Sequence, residues 1–369
     1  MTIKKHKKHP AIQRPSRGEY GRNEIGLLGA PCDVILKWVE AISSELPEYK
    51  FTYIDADHHA TPAGSIRRLT DKITHHQLTL TKRLNKYDQH LLLDQEDLVI
   101  INCNHFNASK QVVFCTLKKK ESLGRKLDKL TDVQLVILEE GIAEPFEFLQ
   151  PYLKANIPII RIENIDSAKK AIKSFIATPE VKGLILAGGR STRMGEDKGT
   201  INYHGISQVD FLQETYKKLG IEAFVSCRED QSDQYSSRAI YDSFLNMGPF
   251  GAILSAFKQY PDNAWIVTAC DMPLIGLGHF EELIENRDIS KGATCFYNPA
   301  TGWPDPLFTL WEPKAYARLL EFMSLGYNCP RKVLINSDVN VIHREDTEFL
   351  INANSPKEKD AVLGKIKGI

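Results

Sequence analysis

The chain has 369 residues, with 47 Lys and Arg balanced by 47 Asp and Glu, and 42% of its residues are hydrophobic. That length suits two ordinary globular domains, and a zero formal net charge gives no bulk electrostatic reason to bind nucleic acid or a membrane surface. No apolar run approaches the ~20 residues of a membrane helix, the basic opening lacks the apolar core of a secretory signal, and seven scattered cysteines without CxxC spacing imply neither a disulfide framework nor a zinc site. The expectation is a reduced, cytoplasmic protein of two α/β domains.

Residues 1–20 read as a basic flexible tail carrying Lys4, Lys5, Lys7, Lys8, Arg14 and Arg17, a solvated terminus rather than an anion-binding arm. A first domain is expected over 21–178. It opens with the apolar stretch from Ile25, then a helix in which Val34, Ile35, Trp38, Val39 and Ile42 recur at helical spacing. Tyr49–Ile54, Asp97–Asn102, Gln111–Cys115, Leu135–Leu138 and Ile157–Ile162 read as strands, and 55–97 is too polar to assign. A helix from about Asp166 to Phe175 closes the unit, capped by Asp166 or Ser167. Strands alternating with helices predict a parallel sheet.

Pro179 marks a boundary, and a second domain is expected over 181–369. Val181–Ala187, Ala223–Ser226 and Ala264–Thr268 read as strands; Ser207–Leu219, Gly251–Gln259 and Phe280–Asn286 read as helices. His58-His59 and His75-His76 read as surface histidines, because adjacent histidines diverge and no four-coordinate frame surrounds them.

The most informative segment is Leu184-Ile-Leu-Ala-Gly-Gly-Arg-Ser-Thr-Arg-Met-Gly-Glu-Asp-Lys198. An apolar strand runs into paired glycines and then into cations. Gly188 and Gly189 lack Cβ, so backbone N–H groups can approach phosphate oxygens. Arg190, Arg193 and Lys198 supply charge that follows a triphosphate and the departing pyrophosphate. The spacing is neither GxxxxGK[ST] nor GxGxxG. Asp271 follows the strand Trp265–Val267, at the edge where α/β sheets place ligands, and a hard carboxylate there suits Mg²⁺; a strand-end cap is the structural alternative. Asp242 reads equally as a turn residue or a contact, Asn352 and Asn354 as ligands or an Asx turn before Pro356, and Arg331 as a phosphate contact or a solvated arginine. Gly248 and Gly251 suit a second glycine-lined loop.

The L-A-G-G-x-S-x-R-M-G-x-D-K string resembles the signature of the MobA-type nucleotidyltransferases. Asp242–Gly251, Ala269-Cys-Asp-Met-Pro273, Pro304–Leu310 and Ile351–Pro356 are similar to further motifs of that family in the same order. The resemblance implies a Rossmann-like mixed sheet of the nucleotide-diphospho-sugar-transferase type. It implies transfer of GMP from GTP to molybdopterin carrying molybdenum, with Mg²⁺ (or Mn²⁺) held at Asp271. It implies catalytic roles for Lys198, Arg193 and Asp271. Nucleotide contacts would come from Leu186, Ala187, Gly188, Gly189, Lys198, Ser226, Asp242, Gly248 and Asp271, and acceptor contacts from Arg331, Asn352 and Asn354. Ser226 stands where the family commonly has asparagine, which bears on base selectivity. The rivals are CTP as donor, a sugar or alditol phosphate as acceptor, and a non-catalytic carrier.

The order of elements in 24–178 resembles the MobB-type GTP-binding adaptors, through the Gly26–Asp33 loop, Asp55–His59 and Asp97–Phe106. A working phosphate loop needs GK[ST]; here the chain reads Gly29-Ala-Pro-Cys-Asp33. The expectation is a degenerate P-loop-like sheet, doubly wound like its neighbour but non-hydrolysing, that docks a partner such as the receiving molybdoenzyme or its chaperone, dimerises, or helps hold the pterin. The assembly expected is a monomer or a homodimer.

Overall fold

The computed structural model describes residues 12–57, 66–188, 198–227 and 238–367. The expected tail through residue 11, His58, His59, Gly189, Arg190 and Arg193 lie outside the described residues. The chain divides into a unit at Ser16–Ala177 and a second from Thr178 onward.

The first unit contains β1 (Glu24–Leu28), α1 (Cys32–Glu45), β2 (Phe51–Ile54), β3 (Arg68–Asp71), β4 (His76–Thr79), α2 (Lys86–Leu92), β5 (Leu98–Asn102), β6 (Gln111–Cys115), α3 (Lys120–Gly124), β7 (Val133–Leu138), β8 (Ile159–Arg161) and α4 (Ile165–Ser174). Six strands form one parallel sheet in the order β2-β5-β1-β6-β7-β8. Every residue of β1, β5 and β6 is buried, as unbroken apolar runs require when helices cover both faces. Trp38 of α1 meets Phe114 of β6 edge-on, with ring centroids 5.4 Å apart, while the neighbouring Val113 packs into the core that includes Leu123 of α3. Gly29, directly after β1, has φ +100°, and a Cβ there would overlap the Phe114 carbonyl, so only glycine fits this turn.

The polar stretch left unassigned holds α2 and the hairpin β3–β4, which forms its own two-stranded sheet. His75 and His76 lie on this hairpin and are exposed. The cap of α4 is Asn164, whose side chain accepts the Ser167 N–H at 3.0 Å. The expected Asp166 and Ser167 already lie inside the helix; the asparagine one turn earlier wins because its Oδ1 reaches the third helical N–H.

The second unit contains β9 (Val181–Leu186), α5 (Gln208–Lys218), β10 (Ala223–Cys227), β11 (Ala239–Tyr241), α6 (Pro249–Gln259), β12 (Ala264–Ala269), α7 (Leu277–Glu285), β13 (Ala293–Asn298), β14 (Trp303–Trp311), α8 (Ala315–Ser324), α9 (Pro330–Ile335), β15 (Asn340–Ile342) and α10 (Pro356–Lys367). The seven-stranded sheet runs β11-β10-β9-β12-β14-β13-β15. It is mixed: β14 is antiparallel to both its neighbours, and the remaining pairs are parallel.

Adjacent residues of the central strands divide between two cores, as a period of two demands. Leu184, Phe224 and Trp265 pack with side chains of α6, α8 and α9, whereas Ile185, Val225 and Ile266 pack with α5 and α7. The sheet therefore lies between two helical layers. Both units are α/β sheets of the doubly wound kind expected. β9, β10, β11 and β12 run parallel, so their carboxyl ends share one edge. Among the described residues no helix is long and apolar enough to cross a membrane.

Candidate active site

A cleft of about 440 Å³ opens at that edge. Its lining comes from the segments that follow the parallel strands: Leu186, Ala187 and Gly188 after β9, Ser226 at the end of β10, Asp242 after β11, and Ala269, Cys270 and Asp271 after β12. Gly248, Pro249 and Ala252 at the start of α6, together with Lys198, Leu307 and Asn354, complete it. This is the edge where open α/β sheets bind ligands.

Lys198 Nζ donates to Asp271 Oδ2 at 2.9 Å and to Asn354 Oδ1 at 2.7 Å. Asn352 Nδ2 donates to Asp271 Oδ1 at 3.1 Å, and Ala353 N donates to the Asp271 carbonyl at 2.7 Å. The segment before α10 thus folds over Asp271, with the Asn352 amide bonded to its carboxylate and the Asn354 amide to the lysine paired with it. His204 Nε2 contacts the Pro273 carbonyl at 2.8 Å and steadies the turn after Asp271.

The ammonium of Lys198 sits between a carboxylate oxygen and an amide oxygen. Two hard oxygen donors converging on one cationic point are the donor set that Mg²⁺ accepts, with remaining positions left to water and phosphate. The residues present therefore fit a divalent ion at Asp271.

On the opposite wall, buried Ser226 donates its hydroxyl to Asp242 Oδ1 at 3.0 Å. Burial raises the Asp242 carboxyl above the usual carboxylate range, and the Ser226 hydrogen bond offsets part of that rise. Gly248 (φ +55°) caps α6, and no side chain caps the helix, so the positive end of its dipole faces the cleft. A Cβ on Gly251 would overlap the Phe244 carbonyl; the loop from Asp242 packs against α6 that closely.

Nine of the residues singled out from sequence line this cleft: Leu186, Ala187, Gly188, Lys198, Ser226, Asp242, Gly248, Asp271 and Asn354. Asn352 reaches it through Asp271. Arg331 is on α9 and is not among the lining residues, so the structure does not bring it to the others. Pro304–Leu310, one of the segments similar to the family's motifs, is part of β14. Its Asp305 is buried, accepts from Asn298 Nδ2 and from the N–H groups of Leu307 and Phe308, and so serves the strand itself; only Leu307 reaches the cleft. Sequence reasoning missed Ala252, which lies on α6 one turn after Gly248.

The family profile of the MobA-like NTP transferase domain matches residues 183–341. Over those residues the chain is similar to that family. The molybdenum cofactor biosynthesis bifunctional protein of Synechocystis is 30% identical over 189 residues, covering 50% of this chain and 54% of that protein. The chain thus spans about half the length of that relative. A molybdenum cofactor guanylyltransferase of Pseudomonas putida is 28% identical over 188 residues, covering 49% of this chain and 96% of that protein. The solved molybdopterin-guanine dinucleotide biosynthesis protein A of Archaeoglobus fulgidus superposes with TM-score 0.44 at 19% identity, over 51% of this chain and all of that one.

Proposed function

We propose that the MobA-like domain transfers GMP from GTP to the terminal phosphate of molybdopterin carrying molybdenum, with release of pyrophosphate. The observation that carries this reading is the Lys198–Asp271–Asn354 contact beside Gly188 and the α6 amino terminus. The names of the relatives support guanine as the base and molybdopterin as the acceptor.

An acceptor phosphate is already ionised at neutral pH, so the chain has no proton to remove. Its task is positioning and charge neutralisation. Gly188 keeps the wall after β9 free of side chain where phosphate oxygens approach the backbone. Asp242, held by Ser226, accepts N–H groups of the guanine edge. The α6 amino terminus favours the negative phosphates. Mg²⁺ at Asp271 and Asn354 would neutralise and orient the α-phosphate for in-line displacement. Lys198 stabilises the departing pyrophosphate; Arg193 joins it in this reading.

Residues 181–369 are assigned to transfer, and 21–178 to a degenerate MobB-like role in docking, dimerisation or pterin holding, because Gly29–Asp33 has no lysine or hydroxyl for a nucleotide. Titration of GTP, CTP, UTP and ATP by calorimetry with Mg²⁺ tests the donor: tight binding of GTP alone supports the reading, and preference for CTP overturns its base.

A further inference from the structure

The degenerate loop of the first unit is the site of a different arrangement. Strands β2, β5 and β1 are neighbours in the parallel sheet, and each delivers one metal-ligating side chain just beyond its carboxyl end. Cys32 opens α1 after β1, Asp55 follows β2, and His105 lies in the loop after β5. The three ligand atoms lie within 4.8 Å of one another. Cys32 Sγ is 3.3 Å from His105 Nε2, and Asp55 Oδ1 is 3.8 Å from the same nitrogen.

We propose that Cys32, Asp55 and His105 bind a divalent transition cation of the zinc class, with a fourth position open to solvent. The decisive feature is convergence. In a cysteine–histidine–aspartate relay the thiol and the carboxylate address opposite ring nitrogens; here both address Nε2, as ligands around one central ion do. A tetrahedral zinc with Zn–S near 2.3 Å and Zn–N or Zn–O near 2.0–2.1 Å separates S from N by about 3.6 Å and N from O by about 3.3 Å. The two observed separations, 3.3 Å for S–N and 3.8 Å for N–O, each lie within about half an ångström of those values. Thiolate, imidazole and carboxylate together are a set that a borderline-soft ion accepts and Mg²⁺ does not.

The surroundings fix the ligands in place. Asp55 accepts from Asn102 Nδ2 at 2.9 Å, Ala56 N at 2.7 Å and Tyr53 Oη at 3.0 Å. Asn104 Nδ2 donates to the Ala30 carbonyl at 3.0 Å, tying the His105 loop to the turn before Cys32. Lys129 Nζ holds the Cys103 and Phe106 carbonyls at 2.9 and 3.1 Å. Such outer contacts orient ligands and sharpen affinity. His105 and Asp55 keep 18% and 28% of their side-chain surface exposed, so an ion has access.

The test uses the full chain, stripped with a chelator and titrated with Co²⁺ and then Zn²⁺. One equivalent of Co²⁺ should produce a cobalt–thiolate charge-transfer absorption that Zn²⁺ abolishes, with release of the thiol proton. Cys32→Ser should remove the band, while Cys329→Ser and Asp271→Asn should retain it; Asp55→Asn should weaken Co²⁺ binding at least about 10-fold with an unchanged circular dichroism spectrum. Absence of the band in the wild-type chain, or its survival in Cys32→Ser, overturns the proposal. Should Cys32→Ser fail to fold, undiminished affinity in Asp55→Asn overturns it equally.

Discussion

Lys198 and Asp271, 73 residues apart in the chain, meet at 2.9 Å in the cleft of the second unit, and Asn354 holds the lysine from its other side at 2.7 Å. The contact joins the end of the glycine-rich segment, the end of β12 and the segment before α10. The pair also sets a competition, since the ammonium occupies the point that a divalent ion needs.

That competition predicts opposite behaviour for two variants. Lys198→Ala should lower pyrophosphate release from GTP by about 10²–10³-fold, the scale of one removed transition-state donor, while its Mg²⁺ requirement shifts to lower concentration. Asp271→Asn should shift the Mg²⁺ requirement upward at least about 10-fold. Metal titrations of turnover in both variants check this, and equal shifts in the same direction would contradict it.

Asp242 carries a second prediction. Asp242→Asn retains an acceptor for Ser226 but loses the charge offered to guanine, so GTP affinity measured by calorimetry should fall about 10- to 100-fold, the 1.5–3 kcal/mol of a charged hydrogen bond.

The same residue gives a pH signature. Burial raises the folded-state pKa of Asp242, so the folded chain binds that proton more tightly than the unfolded chain. Its ionisation therefore costs stability as pH climbs from the unfolded value through the raised one, and the cost is constant beyond. Asp242→Asn lacks it, so wild-type stability relative to the variant should decline across the acid range and then level off. Denaturant melts from the carboxylate range up to neutral pH check the slope; the opposite slope would contradict the assignment.

Arg287 and Glu312 set a purely structural prediction. Arg287 donates to both Glu312 carboxylate oxygens at 2.6 and 2.9 Å and to the Pro179 carbonyl at 2.9 Å. Glu312 is 1% exposed, and its burial outweighs the arginine in raising its pKa. Arg287→Met strands that carboxylate and should cost about 3–5 kcal/mol, read as a lower denaturant midpoint with an unchanged slope.

Much of this molecule is legible as pattern. β1, β5, β6, β9 and β12 are unbroken or nearly unbroken apolar runs, and α1 buries Ile35, Trp38, Val39 and Ile42 at helical spacing. β14 was not legible, because Pro304 and Pro306 argue against a strand; a register shift opposite, between Cys295 and Tyr297, and Asp305 bonding the Leu307 and Phe308 N–H groups accommodate them. Gly188, Lys198 and Asp271 belong to contiguous motifs and could be read. The contacts of Asn352 and Asn354, and the meeting of Cys32, Asp55 and His105, depend on which strands are neighbours. Spacing in sequence carries no trace of that.

The most direct measurement is pyrophosphate release by the full chain supplied with GTP, Mg²⁺ and molybdopterin carrying molybdenum, beside Lys198→Ala. The account predicts release that requires all three and that falls about 10²–10³-fold in the variant. Release at the same rate in both proteins, or none with any nucleotide, would contradict it.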